Sequence, residues 1–170
     1  LVTGGYWAYT LTDGALRMLV LLYFHELGYT PLEVALLFLF YEIFGVLTNL
    51  VGGWIGARLG LKITLFSGLS LPIASLVGLG FLPDDWPRWA AVSFVMAMQA
   101  ISGIAKDLTK MSSKSAVKLV VPQGSGLLFR WVAVLTGSKN ALKGVGFFLG
   151  AALLQRFGFS SALWGMAAGV

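Results

Sequence analysis

The chain has 170 residues, of which 58% are hydrophobic and only 11% charged, with a net charge of +5. Together with a mean hydropathy of +0.85, that balance excludes an ordinary soluble domain, and it makes the cation excess a matter of membrane orientation rather than of nucleic-acid binding. The absence of cysteine and the single histidine, His25, remove disulfide frameworks, thiolate chemistry and multi-histidine metal sites. No metal or other cofactor is expected.

A bilayer core about 30 Å thick takes roughly 20 apolar residues per helix, so the chain is long enough for five or six crossings. In chain order the apolar runs predict spans at 5–27, 32–56, 62–82, 88–108 and 128–155, with an incomplete sixth at 160–170. The fold class expected is an all-α membrane protein. Connections fall at Gly28–Pro31, Gly56–Lys62, Pro83–Pro87, a basic stretch from Lys110 to Gly126, and Arg156–Phe159, each with turn-forming or helix-breaking residues. The chain opens on Leu1 and ends inside an apolar run, so it is read as truncated at both ends, a single domain over 1–170.

Alternate connections differ in charge. Arg58, Lys62, Lys110, Lys114, Lys118 and Arg130 fall on one side, whereas Arg88 and Arg156 share the other with Asp84 and Asp85. The cation-rich side is expected to face the cytoplasm. Trp86 and Trp89 then belong at the outer interface and Trp54 and Trp131 near the inner one, where an indole has both an apolar body and a hydrogen-bonding edge to satisfy.

Charges within the spans carry the functional reading, because each costs about 2.5–3.5 kcal/mol at a helix centre unless it is solvated or paired. Asp13 and Arg17 stand one turn apart in the first span, which permits an internal ion pair or a ligand contact. Glu42 has no basic neighbour in sequence, so it is protonated, water-exposed or paired with another span. Lys106 and Asp107 lie in the fourth span, and Lys106, Lys110, Lys114 and Lys118 recur every four residues, as a lipid-facing basic stripe or an anion funnel. Lys139 and Lys143 repel across one turn near mid-membrane, Lys139 lying ~16 Å along the helix from Leu128. An anion between them relieves that repulsion. His25 with Glu26 reads as a solvated pair at the rim.

Arg17, Lys106, Lys139 and Lys143 are therefore the expected anion contacts, with Asn140 and Thr136 adding neutral hydrogen bonds. Ammonium and guanidinium donors suit phosphate-like oxygens, Arg17 as a planar fork and the lysines as point charges. Asp13 and Glu42 are the candidates for proton coupling. Two glycine series, Gly52/Gly56/Gly60 and Gly146/Gly150, have the four-residue spacing that lets membrane helices approach closely. No phosphate loop or hydrolase signature occurs in the sequence, so no catalytic residue is assigned.

The stretch Gly53-Trp54-Ile55-Gly56-Ala57-Arg58-Leu59-Gly60-Leu61-Lys62 resembles the gating-loop motif between spans two and three of the major facilitator superfamily, G-x-x-x-D-R-x-G-x-K/R. Gly53, Arg58, Gly60 and Lys62 match; Ala57 stands in place of the aspartate. Tyr6-Trp7-Ala8, the run Leu11 to Met18, the run Leu135 to Gly144, and the stretch from Lys106 to Pro122 together resemble the organoarsenical efflux permeases of that superfamily. The resemblance implies the N-terminal half of a facilitator bundle, completed by a missing C-terminal half, in a bacterial inner membrane. It further implies export of 1-arseno-3-phosphoglycerate, made from arsenate by a partner glyceraldehyde-3-phosphate dehydrogenase, and hence arsenate resistance. The small anionic substrate and membrane lipid are the partners expected; nucleic acid is not. A membrane-embedded enzyme acting on a phosphorylated lipid or sugar is the alternative, since the same cations would grip its phosphate.

The orientation is tested by reporter fusions. A fusion after Lys118 is expected to report the cytoplasm and one at Asp84 the opposite compartment; the reverse pattern overturns the assignment.

Overall fold

A computed structural model of the chain describes residues 2–83, 85–120 and 127–169, without the side chains of residues 2, 117–120, 127 and 128. Asp84, residues 121–126 of the basic connection, the Lys118 side chain and the end of the sixth span therefore lie outside the described residues. All regular structure among them is helical: α1 (Val2–Glu26), α2 (Pro31–Leu37), α3 (Leu39–Gly80), α4 (Arg88–Val120), α5 (Leu127–Phe157) and α6 (Phe159–Gly169).

The boundary between α1 and α2 follows from local chemistry. Gly28, at φ 81°, takes the left-handed conformation that an L side chain resists, and it ends α1 in a paired cap. The Gly28 N–H donates to His25 O (3.0 Å) and the Tyr29 N–H to Phe24 O (3.1 Å), while the Tyr29 and Phe24 rings meet edge to face at 5.2 Å. Thr30 then starts α2. Its hydroxyl accepts from the Glu33 N–H (3.3 Å) and its own N–H donates to Glu33 Oε2 (2.8 Å), with Pro31 in the first turn, where a missing N–H costs nothing.

α3 is continuous only in hydrogen bonding. Gly60, at φ 81° and ψ 159°, breaks it into two arms, 39–59 and 61–80. Glycines report how the arms lie, because a Cβ at Gly45 would touch Asp107 and one at Gly52 Met111, whereas one at Gly68 would touch Thr109 and one at Gly78 Met98. The first arm thus runs parallel to α4 and the second antiparallel. Gly60 is the point of reversal, and the spans expected at 32–56 and 62–82 correspond to α2 with the first arm and to the second arm.

The remaining helices alternate likewise. The Tyr9 hydroxyl donates to Ser102 O (3.3 Å) and the Arg88 guanidinium to Leu27 O (3.5 Å), so α1 and α4 are antiparallel. Trp7 Nε1 donates to Ser138 Oγ (3.0 Å) and Gly150 packs on Ala15, so α1 and α5 are parallel. Residues 2, 60 and 127 consequently belong to one end of the bundle, and the connections at 27–30, 81–83, 85–87 and 158 to the other. The core cluster, which includes Leu19, Phe24, Leu37, Leu79, Val95 and Leu163, fills the second end.

The basic connection from Lys110 is helical as far as Val120, since neither Gly nor Pro interrupts the chain between Gly103 and Pro122, so the four-residue recurrence of its lysines runs along one helix. Among the described residues two stretches, Pro31–Gly80 and Arg88–Ala116, are long and apolar enough to cross a membrane. α1 and α5 have the length without the unbroken hydropathy, because they carry Asp13, Arg17, Lys139 and Lys143. Much apolar surface faces outward, with Phe148 82% and Phe129 81% exposed; a water-soluble fold rarely leaves contiguous surface of that kind uncovered. Trp54, Trp86, Trp89 and Trp131 are all exposed.

Helix approach is closest at glycines. A Cβ at Gly103 would collide with the Tyr41 main chain and one at Gly150 with the Ala15 main chain, while Gly53 and Gly56 have open space around them. Gly103→Val is therefore expected to destabilise the protein by about 1–3 kcal/mol and to lower its thermal unfolding temperature in detergent, with Gly53→Ala neutral or slightly stabilising. Unfolding of Gly103→Val at the wild-type temperature rules out so tight a crossing of α3 and α4.

Candidate functional site

Three acids and five cations converge between α1, the first arm of α3, α4 and α5. Arg17, Glu42, Val46, Asn49, Lys106, Asp107, Lys110, Lys139 and Lys143 line one polar cavity of about 270 Å³, and Asp13 reaches it through Lys143 (Nζ–Oδ2 3.2 Å). Helix spacing explains the gathering: Asp13 with Arg17, Lys106 with Lys110, and Lys139 with Lys143 each stand one turn apart on one face.

The pairing differs from the internal Asp13–Arg17 pair that the sequence allows. Arg17 Nη2 instead donates to Glu42 Oε1 at 2.7 Å, and Lys106 Nζ donates to Glu42 Oε2 at 3.3 Å. Asp13 accepts from the Tyr41 hydroxyl at 2.5 Å and pairs with Lys143. Asp107, its side chain 2% exposed, sits between Lys106 (3.7 Å) and Lys110 (3.5 Å). Cross-helix partners win because a carboxylate and a cation one turn apart on α1 can each gain a second, better-aligned partner from the facing helices, which lowers the cost of withdrawing them from water.

Tyr41 holds the cluster together and is wholly buried. The Arg17 guanidinium carbon lies 4.0 Å from the centre of its ring and Lys106 Nζ 4.3 Å, distances at which the ring's negative face attracts a cation. Its hydroxyl meanwhile orients Asp13, and through Asp13 the ammonium of Lys143. Gly45 makes the other essential provision, because a Cβ there would stand 2.7 Å from Asp107 Oδ2 and 3.2 Å from Lys106 Nζ.

Of the residues expected from sequence to bind an anion, Arg17, Lys106, Lys139 and Lys143 line this cavity together with Glu42. Asn140 and Thr136 are exposed and are not among the lining residues. Among the described residues Lys139 makes no ion pair, so its charge is the least compensated of the five. The residues expected from the motif to form a gating loop lie apart from the cavity: Gly60 makes the reversal of α3, Arg58 stacks on Trp54 (4.8 Å), and Gly53, Arg58 and Lys62 are exposed. Sequence reasoning missed Tyr41, Gly45 and Asn49 as parts of the site. The repeat Tyr41–Gly45–Asn49, at four-residue steps on the face that meets α4, was the available signal. Among the described residues no group of acids and histidine is placed to hold a metal ion. No family model, curated protein or solved structure matches the chain.

The Asp13–Lys143 pair is deeply placed, with side chains 6% and 20% exposed. Asp13→Asn leaves Lys143 without its counter-charge and is expected to cost about 3 kcal/mol. Adding Lys143→Gln should return more than half of that loss, as thermal unfolding of the two single variants and the double variant will read. Additive losses show that the two residues are not coupled.

Proposed function

We propose that the chain is a membrane transporter domain that exports a small organic dianion, with the six helices as the N-terminal half of a major-facilitator-type bundle. One observation carries the reading: five cations face three carboxylates around one cavity, in helices whose outer surface is largely apolar. Burying that surplus is costly without a ligand to balance it, and a doubly charged phosphate-like or arsenate-like ester balances it. The cavity extends from Arg17 towards Lys110 and Lys139, that is, towards the cation-rich end, which by the positive-inside bias is the cytoplasmic one. The core cluster fills the opposite end. Such an arrangement suits a domain that collects its substrate from the cytoplasm and releases it across the membrane.

Within this reading 1-arseno-3-phosphoglycerate is the substrate, by resemblance to the organoarsenical efflux permeases, with a glyceraldehyde-3-phosphate dehydrogenase supplying it and arsenate resistance as the outcome. A second helical bundle completes the cavity, and the protein resides in a bacterial inner membrane. Lys139, Lys143, Arg17 and Lys106 hold the anion, and proton coupling runs through Asp13 or Glu42. The membrane-enzyme alternative gains no observation in its favour.

The test uses the whole transporter in inverted vesicles supplied with the arsenylated acid. Lys139→Gln should reduce uptake at least tenfold, about 1.4 kcal/mol, and Lys139→Arg should retain part of it, because Arg keeps the charge but replaces a compact donor with a planar fork. Wild-type uptake should fall when the pH gradient and the membrane potential are collapsed together. Full uptake by Lys139→Gln removes the anion site, and full uptake without gradients removes proton coupling.

A further inference from the structure

Glu42 is anchored differently from the cations it touches. Arg17 has three attachments, namely the Glu42 carboxylate, the Tyr41 ring at 4.0 Å and the Phe38 ring at 5.8 Å. Lys106 has three as well: Glu42, the Tyr41 ring at 4.3 Å and Asp107 at 3.7 Å. Glu42 is held by these two cations, and its side chain remains 57% exposed at the cavity wall. If the carboxylate swings away, the cations keep their places. Glu42 uses only part of the Arg17 fork, taking Nη2, and among the described residues Nε is buried with no hydrogen-bond partner. A guanidinium in full register with an oxyanion donates two parallel bonds.

From this geometry we infer that Glu42 is a tethered stand-in for the transported anion: in the ligand-free protein its carboxylate occupies the Arg17–Lys106 subsite, and an incoming oxyanion displaces it. The inference rests on the anion-site reading and adds to it a competitor built into the chain. The displaced carboxylate faces water, and the arriving oxyanion takes over both of its cations. A competitor on a tether sets a threshold: a ligand must outbid one carboxylate before it is bound, so weakly charged solutes in the cytoplasm leave the site closed. A dianion clears that threshold more readily than a monocarboxylate, because its second charge is still attracted to Lys139 and Lys143.

The proposal is tested on the whole protein, purified in detergent, with phenylphosphonate as the probe, by titration calorimetry at a pH where the probe is doubly ionised. Glu42→Gln removes the tethered charge and should tighten binding about tenfold. Glu42→Asp keeps the charge but shortens the reach, so that one carboxylate no longer spans both cations; it should tighten binding by about threefold. Infrared difference spectra of the wild type on adding the probe should show a carboxylate band shift that Glu42→Gln lacks, a readout that needs no variant to gain affinity. If Glu42→Asp binds as the wild type does while Glu42→Gln binds more tightly, Glu42 acts only through its field and the stand-in role is wrong. Equal or weaker binding by Glu42→Gln also overturns it, as does a wild-type spectrum without the band shift. A wild type that does not bind the probe at all overturns the anion-site reading itself, and this inference with it.

Discussion

A charge withdrawn into an apolar bundle has to find its complement there, and in this chain it finds it mainly on a neighbouring helix. Arg17 of α1 and Lys106 of α4 meet on Glu42 of α3, and Asp13 of α1 meets Lys143 of α5. The desolvation cost that makes each of these residues improbable in an apolar helix also makes their mutual arrangement specific, since a shift of one turn in any helix leaves a charge unpaired. Tyr41 is the common centre. It offers a π face to two cations and a hydroxyl to one carboxylate, so a single buried ring fixes the relative position of three helices.

Close helix approach is the second requirement. Ion pairs with contacts near 3 Å form only if the backbones come close enough, and small residues stand where they do: Gly14, Gly146 and Gly150 between α1 and α5, Gly45 and Gly103 between α3 and α4. Without lateral crowding from Cβ atoms the helices settle against each other's main chain, and the long polar side chains reach across a short gap to their partners. Packing and electrostatics are thus solved by neighbouring positions of the same sequence, Gly14 beside Asp13 and Gly45 one turn from Tyr41.

Much of this was legible in the sequence. Apolar runs marked the helices, and the cost of placing charge in an apolar helix singled out Arg17, Glu42, Lys106, Lys139 and Lys143, which line one cavity. The partners were less legible, because intrahelical spacing pointed to Asp13 with Arg17 while both are satisfied by other helices, and register between helices is not written in any single segment. Tyr41 and Gly45 escaped notice for the same reason: a tyrosine and a glycine in an apolar span read as filler until the face they share is known. The polar second half of α4, rich in Lys and Ser, is invisible to hydropathy, and only its freedom from Gly and Pro and the four-residue recurrence of its lysines mark it as helix. Asn140 shows the converse, a polar residue beside a cavity-lining lysine that faces outward.

The seam between α1 and α5 has a mechanical consequence. Gly146 and Gly150 lie directly on the main chain of Leu11 and Ala15, and Gly14 on that of Lys143, so at these points the pair is joined backbone to backbone, without the padding of side chains. Two rods in such contact cannot slide or tilt separately without main-chain collision, and the Asp13–Lys143 bond pins them in register. They turn as one lever. Between α3 and α4 the contact is mixed: it is backbone-tight where Gly103 meets Tyr41, but cushioned where Met111 lies against Gly52 and Met98 against Gly78, and there the thioethers can re-pack as the helices shift.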